Sequence, residues 1–305
     1  MEKTVKCSAC ETKNPGSHRY CHWCGNPLKE GLTRVLSTED VKKLLELSFT
    51  FEINNLVDEA INSYRAMLEV NPNYADLHFR LGNALEAKGL LGKAITAYES
   101  AVRINPNYIH AHMKLGEIYM DQGLFNDAIK EFKEVLSIKV QYSYADVHNN
   151  LGVAYENLGK PEKAMEHYNK ALEANPKYAR AHFNMGNVLS SLERYKEAVK
   201  EYKAALKTYS NDALCYNNLG IALASQGKFK EAVEAFKRSI SLKPDYLTAR
   251  QNLASAYLEA GDREDAVREY ENCLKQDPDN QEIIDILKEV LKVGTKKPAS
   301  SGRKK

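Results

Sequence analysis

The stretch Ala75–Tyr108, ADLHFRLGNALEAKGLLGKAITAYESAVRINPNY, decides the fold. Leu81 and Leu85, then Ala94, Tyr98 and Ala101, fall at the three- and four-residue steps that put side chains on one face of an α-helix. The pattern occurs twice with a short break between, which describes two amphipathic helices folded against each other. Pro106 ends the second helix because proline lacks the N–H that the next turn needs, and Asn105 before it favours a turn.

The same pattern returns every 34 residues or close to it. From Ile109 come Leu115-Gly116, Tyr119, Ala128 and Phe132; from Ala145, Leu151-Gly152, Tyr155, Ala164, Tyr168, Ala171 and Pro176. Ala179 opens a unit with Met185-Gly186, Leu189, Ala198, Tyr202 and Ala205. Ala213 opens another with Leu219-Gly220, Ala232, Phe236 and Pro244, and Leu247 a last one with Leu253-Ala254, Tyr257, Ala266, Tyr270 and Pro278. A weaker first unit from Val41 keeps Leu47, Phe51, Ala60, Tyr64 and Pro72. Small residues in register with aromatics, closed by Asn-Pro or Asp-Pro, resemble the tetratricopeptide-repeat (TPR) family.

The resemblance implies an all-α solenoid of helical hairpins, with seven repeats over residues 41–280. Glycine and alanine are expected where the two helices of a hairpin cross, and the aromatics in the gaps between hairpins. Stacking supplies the stability that one hairpin lacks, and the last repeat needs a lid with a polar outer face. Residues 281–292, with the stripe Ile283, Ile284, Ile286, Leu287, Val290 and Leu291, are expected to form that capping helix. The unit from Ile109 is two residues long and carries Val140 where proline is due, which predicts a longer second helix or a distorted turn. The unit from Ala179 also lacks the proline and offers Ser210-Asn211-Asp212 as turn residues.

Composition agrees with a helical, water-exposed protein: charged residues make up 28% and the net charge is +2. No apolar run approaches the roughly 18 residues of a membrane span, and the opening residues carry no secretory apolar segment; the expected location is cytoplasmic. Residues 293–305 hold Lys296, Lys297, Arg303, Lys304 and Lys305 with no acid, and are expected to be a disordered basic tail.

In TPR proteins the first helix of each hairpin lines a concave groove that receives partners. The sixth residue of four successive units is Asn150, Asn184, Asn218 and Asn252. An asparagine amide offers a donor and an acceptor, so a column of them can pair with the backbone of an extended peptide whatever its side chains. The column resembles the asparagine ladder of the TPR domains of O-linked N-acetylglucosamine transferase, with Asn149 and Asn217 thickening it. The plainer alternative is that these asparagines only solvate the groove. Upstream, Arg80 and Lys114 occupy the corresponding position and are expected to select ligand side chains, while Phe79, Met113 and Phe183 offer apolar contacts. Phe79 and Phe183 also stand where a carboxylate-clamp TPR would need its first lysine. His78, His112, His148 and His182 recur once per unit, at a position that packs between units and needs no ligand role.

At the N-terminus Cys7, Cys10, Cys21 and Cys24 form C-x2-C-x10-C-x2-C. Two tight knuckles of two thiolates complete the four-sulfur tetrahedral shell that Zn²⁺ prefers, so residues 1–28 are expected to be a short ribbon around a structural zinc ion, joined by a linker at 29–40. A redox C-x2-C lacks its βαβ surroundings here, and a disulfide pair does not suit the expected compartment. Cys215 and Cys273, on helices, are expected to be buried small hydrophobes.

No catalytic constellation is present. Gly89-Leu90-Leu91-Gly92-Lys93 is too short for a P-loop and lies between helices. The sequence therefore points to a non-catalytic scaffold that binds an extended peptide in the TPR groove. The competing reading is a nucleic-acid-associated factor in which ribbon and basic tail touch nucleic acid while the repeats recruit protein.

Overall fold

Each recurrence of the 34-residue pattern becomes a pair of helices. In a computed structural model, which describes residues 4–6, 13–15, 56–138 and 144–294, fourteen α-helices are present among the described residues. They are α1 (Val57–Val70), α2 (Ala75–Ala87), α3 (Leu91–Ile104), α4 (Ile109–Asp121), α5 (Phe125–Ser137), α6 (Ala145–Asn157), α7 (Pro161–Ala174), α8 (Ala179–Ser191), α9 (Tyr195–Thr208), α10 (Ala213–Ala224), α11 (Phe229–Leu242), α12 (Leu247–Ala260), α13 (Arg263–Gln276) and α14 (Gln281–Gly294). Helices α2 to α13 form six hairpins. Helix α1 stands where the second helix of the first repeat is expected; residues 41–55, expected to supply its partner, lie outside the described residues, as do all four zinc-spaced cysteines. Two short strands, β1 (Thr4–Lys6) and β2 (Lys13–Pro15), pair antiparallel with Val5 opposite Asn14.

The helices divide between two compact units, Met1–Tyr142 and Ser143–Lys305. In the first, Tyr64, Met67, Leu77, Leu81, Leu85, Tyr98 and Leu115 share one buried cluster. In the second, Ile283 and Leu287 of α14 pack with Ala254, Tyr270 and Cys273, so the last hairpin is covered as a capping helix should cover it. Each fully buried aliphatic side chain contributes about 1.5–3 kcal/mol toward holding the helix against that hairpin. Cys215 and Cys273 are both buried, and burial pushes their thiols up to about 12 and about 11 respectively. Both behave as small hydrophobes.

The repeated glycine has a sharper cause than helix crossing. A Cβ on Gly82 would come within 2.5 Å of the Tyr98 ring, and one on Gly152 within 2.3 Å of the Tyr168 ring. Gly116 with Phe132, Gly186 with Tyr202 and Gly220 with Phe236 repeat the relationship. The aromatic of the second helix therefore lies against the glycine of its own hairpin, rather than serving first as filler between hairpins.

Turn chemistry follows the sequence closely. Asn105 and Asn175 each accept, through their side-chain oxygens, the backbone N–H two residues on, at 3.1 Å in both cases, which closes the Asn-Pro turn. Where proline is missing before α10, Asp212 caps the helix by accepting the Cys215 N–H at 3.0 Å. Helix α5, expected to be longer, ends at Ser137 after 13 residues, whereas α3 has 14. Its chain leaves the helix at Ile138, which is extended at ψ 113°. Any distortion around Val140 lies outside the described residues.

Candidate protein-binding face

Within Ser143–Lys305 the first helices α6, α8, α10 and α12 touch one another in succession, and the second helices make no comparable contacts among themselves. The first helices thus lie on the inner side of this unit's stack. Asn150, Asn184, Asn218 and Asn252 occur once on each of them and are all half-buried.

These amides are connected from hairpin to hairpin. Asn184 donates its side-chain N–H to Oδ1 of Asn149 at 3.0 Å, and Asn252 donates to Oδ1 of Asn217 at 3.0 Å. Asn218 donates to Oδ1 of Asn187 at 3.0 Å and accepts from Asn217 at 3.2 Å. Asn149 and Asn217, expected to line the groove, are 1% and 3% exposed. They stand behind its wall and hold the orientation of the asparagines in front. Sequence spacing could not separate these two layers, because adjacent asparagines on one helix read alike until burial distinguishes them.

Within Met1–Tyr142 the charged residues singled out by the sequence are already paired. Arg80 donates to Asp76 at 2.7 Å, and Lys114 to Glu86 at 3.2 Å with Glu117 at 3.9 Å. Tyr98 and Tyr108 extend the network, donating their hydroxyls to Glu86 at 2.6 Å and to Asp76 at 2.9 Å. Phe79 is half-buried with its ring 5.2 Å from that of Tyr108, and Phe183 in the other unit lies 6.1 Å from Tyr202. Both phenylalanines are part of the hairpin packing.

The histidine column turns out to be a structural bracket. His112 places Nδ1 2.7 Å from Glu131 and Nε2 2.9 Å from the carbonyl of Pro106. His182 does the same with Glu201 at 2.7 Å and Pro176 at 3.1 Å. Both partners are acceptors, so the ring satisfies both only by donating from both nitrogens, as the imidazolium. The hydrogen bond to the glutamate raises the pKa of each of these histidines above its ordinary value, against the opposing effect of burial. Arg250 builds the same bracket with a permanent cation, donating to Glu269 at 2.8 Å and to the Pro244 carbonyl at 3.2 Å.

Where the glutamate is missing, the sign reverses. His78 keeps only the Pro72 carbonyl, at 2.9 Å, and burial lowers its pKa. His148 faces His167, Nδ1 to Nδ1, at 3.1 Å, and its pKa too is lowered, chiefly by burial and then by Lys170. The legible signal was the constant separation of 19 residues between each basic residue and its glutamate, which a search for metal ligands passes over.

Among the described residues no helix is long and apolar enough to cross a membrane. Among curated proteins, none matches the chain. Solved structures do. The C-terminal part of a TPR repeat-containing protein from Cytophaga hutchinsonii is 18% identical, with 79% of this chain and 98% of that one covered and a TM-score of 0.66. The MamA protein is 27% identical, with 56% and 92% covered at a TM-score of 0.51. YrrB, described as a TPR protein with an unusual peptide-binding site, is 22% identical, with 61% and 95% covered at 0.52. A family model described as the C-terminal domain of cilia and flagella-associated protein 70 matches residues 58–285, more than half of the chain. With its hairpins, glycine–aromatic contacts and turn asparagines in register, the chain belongs to the TPR family of the cilia and flagella-associated protein 70 C-terminal domain.

Proposed function

We propose that this protein is a non-catalytic scaffold of cilia or flagella whose Ser143–Lys305 unit binds an extended protein segment along α6, α8, α10 and α12. The observation that carries this reading is the hydrogen bonding of Asn184 to Asn149 and of Asn252 to Asn217. Side chains fixed before a ligand arrives lose less freedom when it binds, so a pre-set row of amides suits capture of a peptide backbone. The ciliary setting is drawn from the family's name. Arg80 and Lys114, each already beside a carboxylate, would act on a ligand only by exchanging partners.

The four N-terminal cysteines fit a structural zinc ion by donor chemistry, since four thiolates make a closed shell. Support comes from the antiparallel pairing of β1 with β2 on either side of the sequence that contains Cys7 and Cys10. The metal would hold residues 1–28 folded and takes no part in binding by the repeats.

The test replaces Asn150, Asn184, Asn218 and Asn252 together by alanine. Affinity purification from ciliated cells, read by mass spectrometry, should lose the partners that the natural chain retains, with helicity by circular dichroism unchanged. Retention of the same partners by the variant rejects the assignment.

A further inference from the structure

Two large apolar side chains lie exposed in the middle of the amide-lined face. Leu214 is 47% and Ile221 39% exposed, and both belong to α10. They are seven residues apart with Asn218 between them, so the three share one helical stripe spanning about 10 Å. At the same three positions on the neighbouring helices stand Arg180, Asn184 and Asn187 on α8 and Thr248, Asn252 and Ser255 on α12. Of these nine side chains Arg180 alone carries a formal charge, in a protein of which 28% is charged. Arg180 is exposed at the level of Leu214, and Glu259 lies one turn beyond Ser255.

The pattern restricts what can sit there. A basic segment laid over these helices would give up water and meet no counter-charge, and an acidic one would find only Arg180 at one edge, which disfavours both. An apolar side chain placed on Leu214 or Ile221 removes apolar area from water on both partners. A backbone crossing α10 at Asn218 sends neighbouring side chains to opposite sides, one toward Leu214 and the next toward Ile221.

We infer that the partner of this face is an uncharged extended segment with two consecutive large apolar residues, seated over Leu214, Asn218 and Ile221. The inference rests on the first-helix face being the binding face, as proposed above. Both side chains are exposed, so the double substitution Leu214→Ser with Ile221→Ser should leave the fold intact, which circular dichroism checks.

A displayed library of random peptides is selected on the full-length chain, and the selected peptides are synthesised for fluorescence anisotropy. The expected consensus is an apolar pair in a neutral setting, with affinity nearly independent of salt and at least tenfold weaker for the double-serine variant. A consensus rich in charge that still requires Asn184, Asn218 and Asn252, or an affinity untouched by the double substitution, overturns this inference and leaves the binding face standing. If no selected peptide depends on those asparagines, the assignment of the face itself fails, and the inference with it.

Discussion

Asn184 reaches back 35 residues to bond Oδ1 of Asn149, tying the first helix of one hairpin to the first helix of the hairpin before it. The acceptor is buried and the donor stands at the surface of the inner face, so one contact serves both stability and orientation. Asn149→Ala is expected to cost about 0.5–1.5 kcal/mol, the net range for a hydrogen bond whose remaining partner can reach water. Urea unfolding measures that loss. Ligand affinity should fall as well, because Asn184 then rotates freely; an unchanged affinity would mean that the buried layer does not orient the outer one.

His182 and His148 should respond to pH in opposite directions. The pKa of His182 is raised, so its contribution to stability is complete below its unfolded value and is lost as pH climbs through the folded one. The pKa of His148 is lowered, so its contribution is complete above the unfolded value and is lost on acidification. Groups facing His148 are His167, Lys170, Glu166 and Glu173. His182→Gln is therefore expected to destabilise more at about pH 5.5 than at about pH 8, and His148→Gln the reverse, by urea midpoints at both pH values. The same pH trend in both variants would contradict the bracket.

Gly152→Ala places a Cβ 2.3 Å from the Tyr168 ring and is expected to cost about 1–3 kcal/mol, the usual range for overpacking a core. The last hairpin carries Ala254 at the equivalent position, with buried Tyr270 as its aromatic, so the motif accepts a methyl group in that hairpin. Thermal unfolding of Gly152→Ala should fall well below that of the natural protein, and a wild-type midpoint would show that every hairpin has this freedom.

The turns between first and second helices take a left-handed residue, as at Gly159 with φ 66° and Gly227 with φ 72°, but at Glu193 a glutamate adopts φ 58°. A left-handed conformation costs a non-glycine residue about 1–2 kcal/mol. Part of this is offset by the greater freedom that glycine has in the unfolded chain. Glu193→Gly is thus expected to stabilise the protein by about 0.5–1 kcal/mol, visible as a higher urea midpoint. A lower midpoint would show that the Glu193 side chain compensates for its backbone.

Removing metal should affect only the N-terminus. Metal analysis by mass spectrometry is expected to find one zinc ion per chain, abolished by Cys7→Ser with Cys10→Ser, with the helical signal unaltered. A metal-free natural chain would dispose of the ribbon.

Hairpins, turns and the capping helix were legible because a short list of residue types recurs at fixed spacing, and period alone places Leu81, Ala94 and Pro106. What was not legible depends on which side of a helix is covered. Asn149 and Asn150 are neighbours in sequence, yet one is buried and the other half-exposed, and His112 has a glutamate 19 residues on that bonds it where His78 has none. Leu214 and Ile221 read as ordinary helix residues until the stacking of α10 leaves them exposed.

The most direct measurement locates a selected peptide on the surface. A photoreactive amino acid is placed at position 191 or 248, exposed on the first helices beside the asparagines, and at position 200 or 237, on the second helices, and cross-linking to the bound peptide is read by mass spectrometry. Cross-links from 191 and 248, and none from 200 and 237, are predicted. Cross-links from 200 and 237 alone would place the ligand on the opposite side and contradict the role given to Asn184 and Asn218.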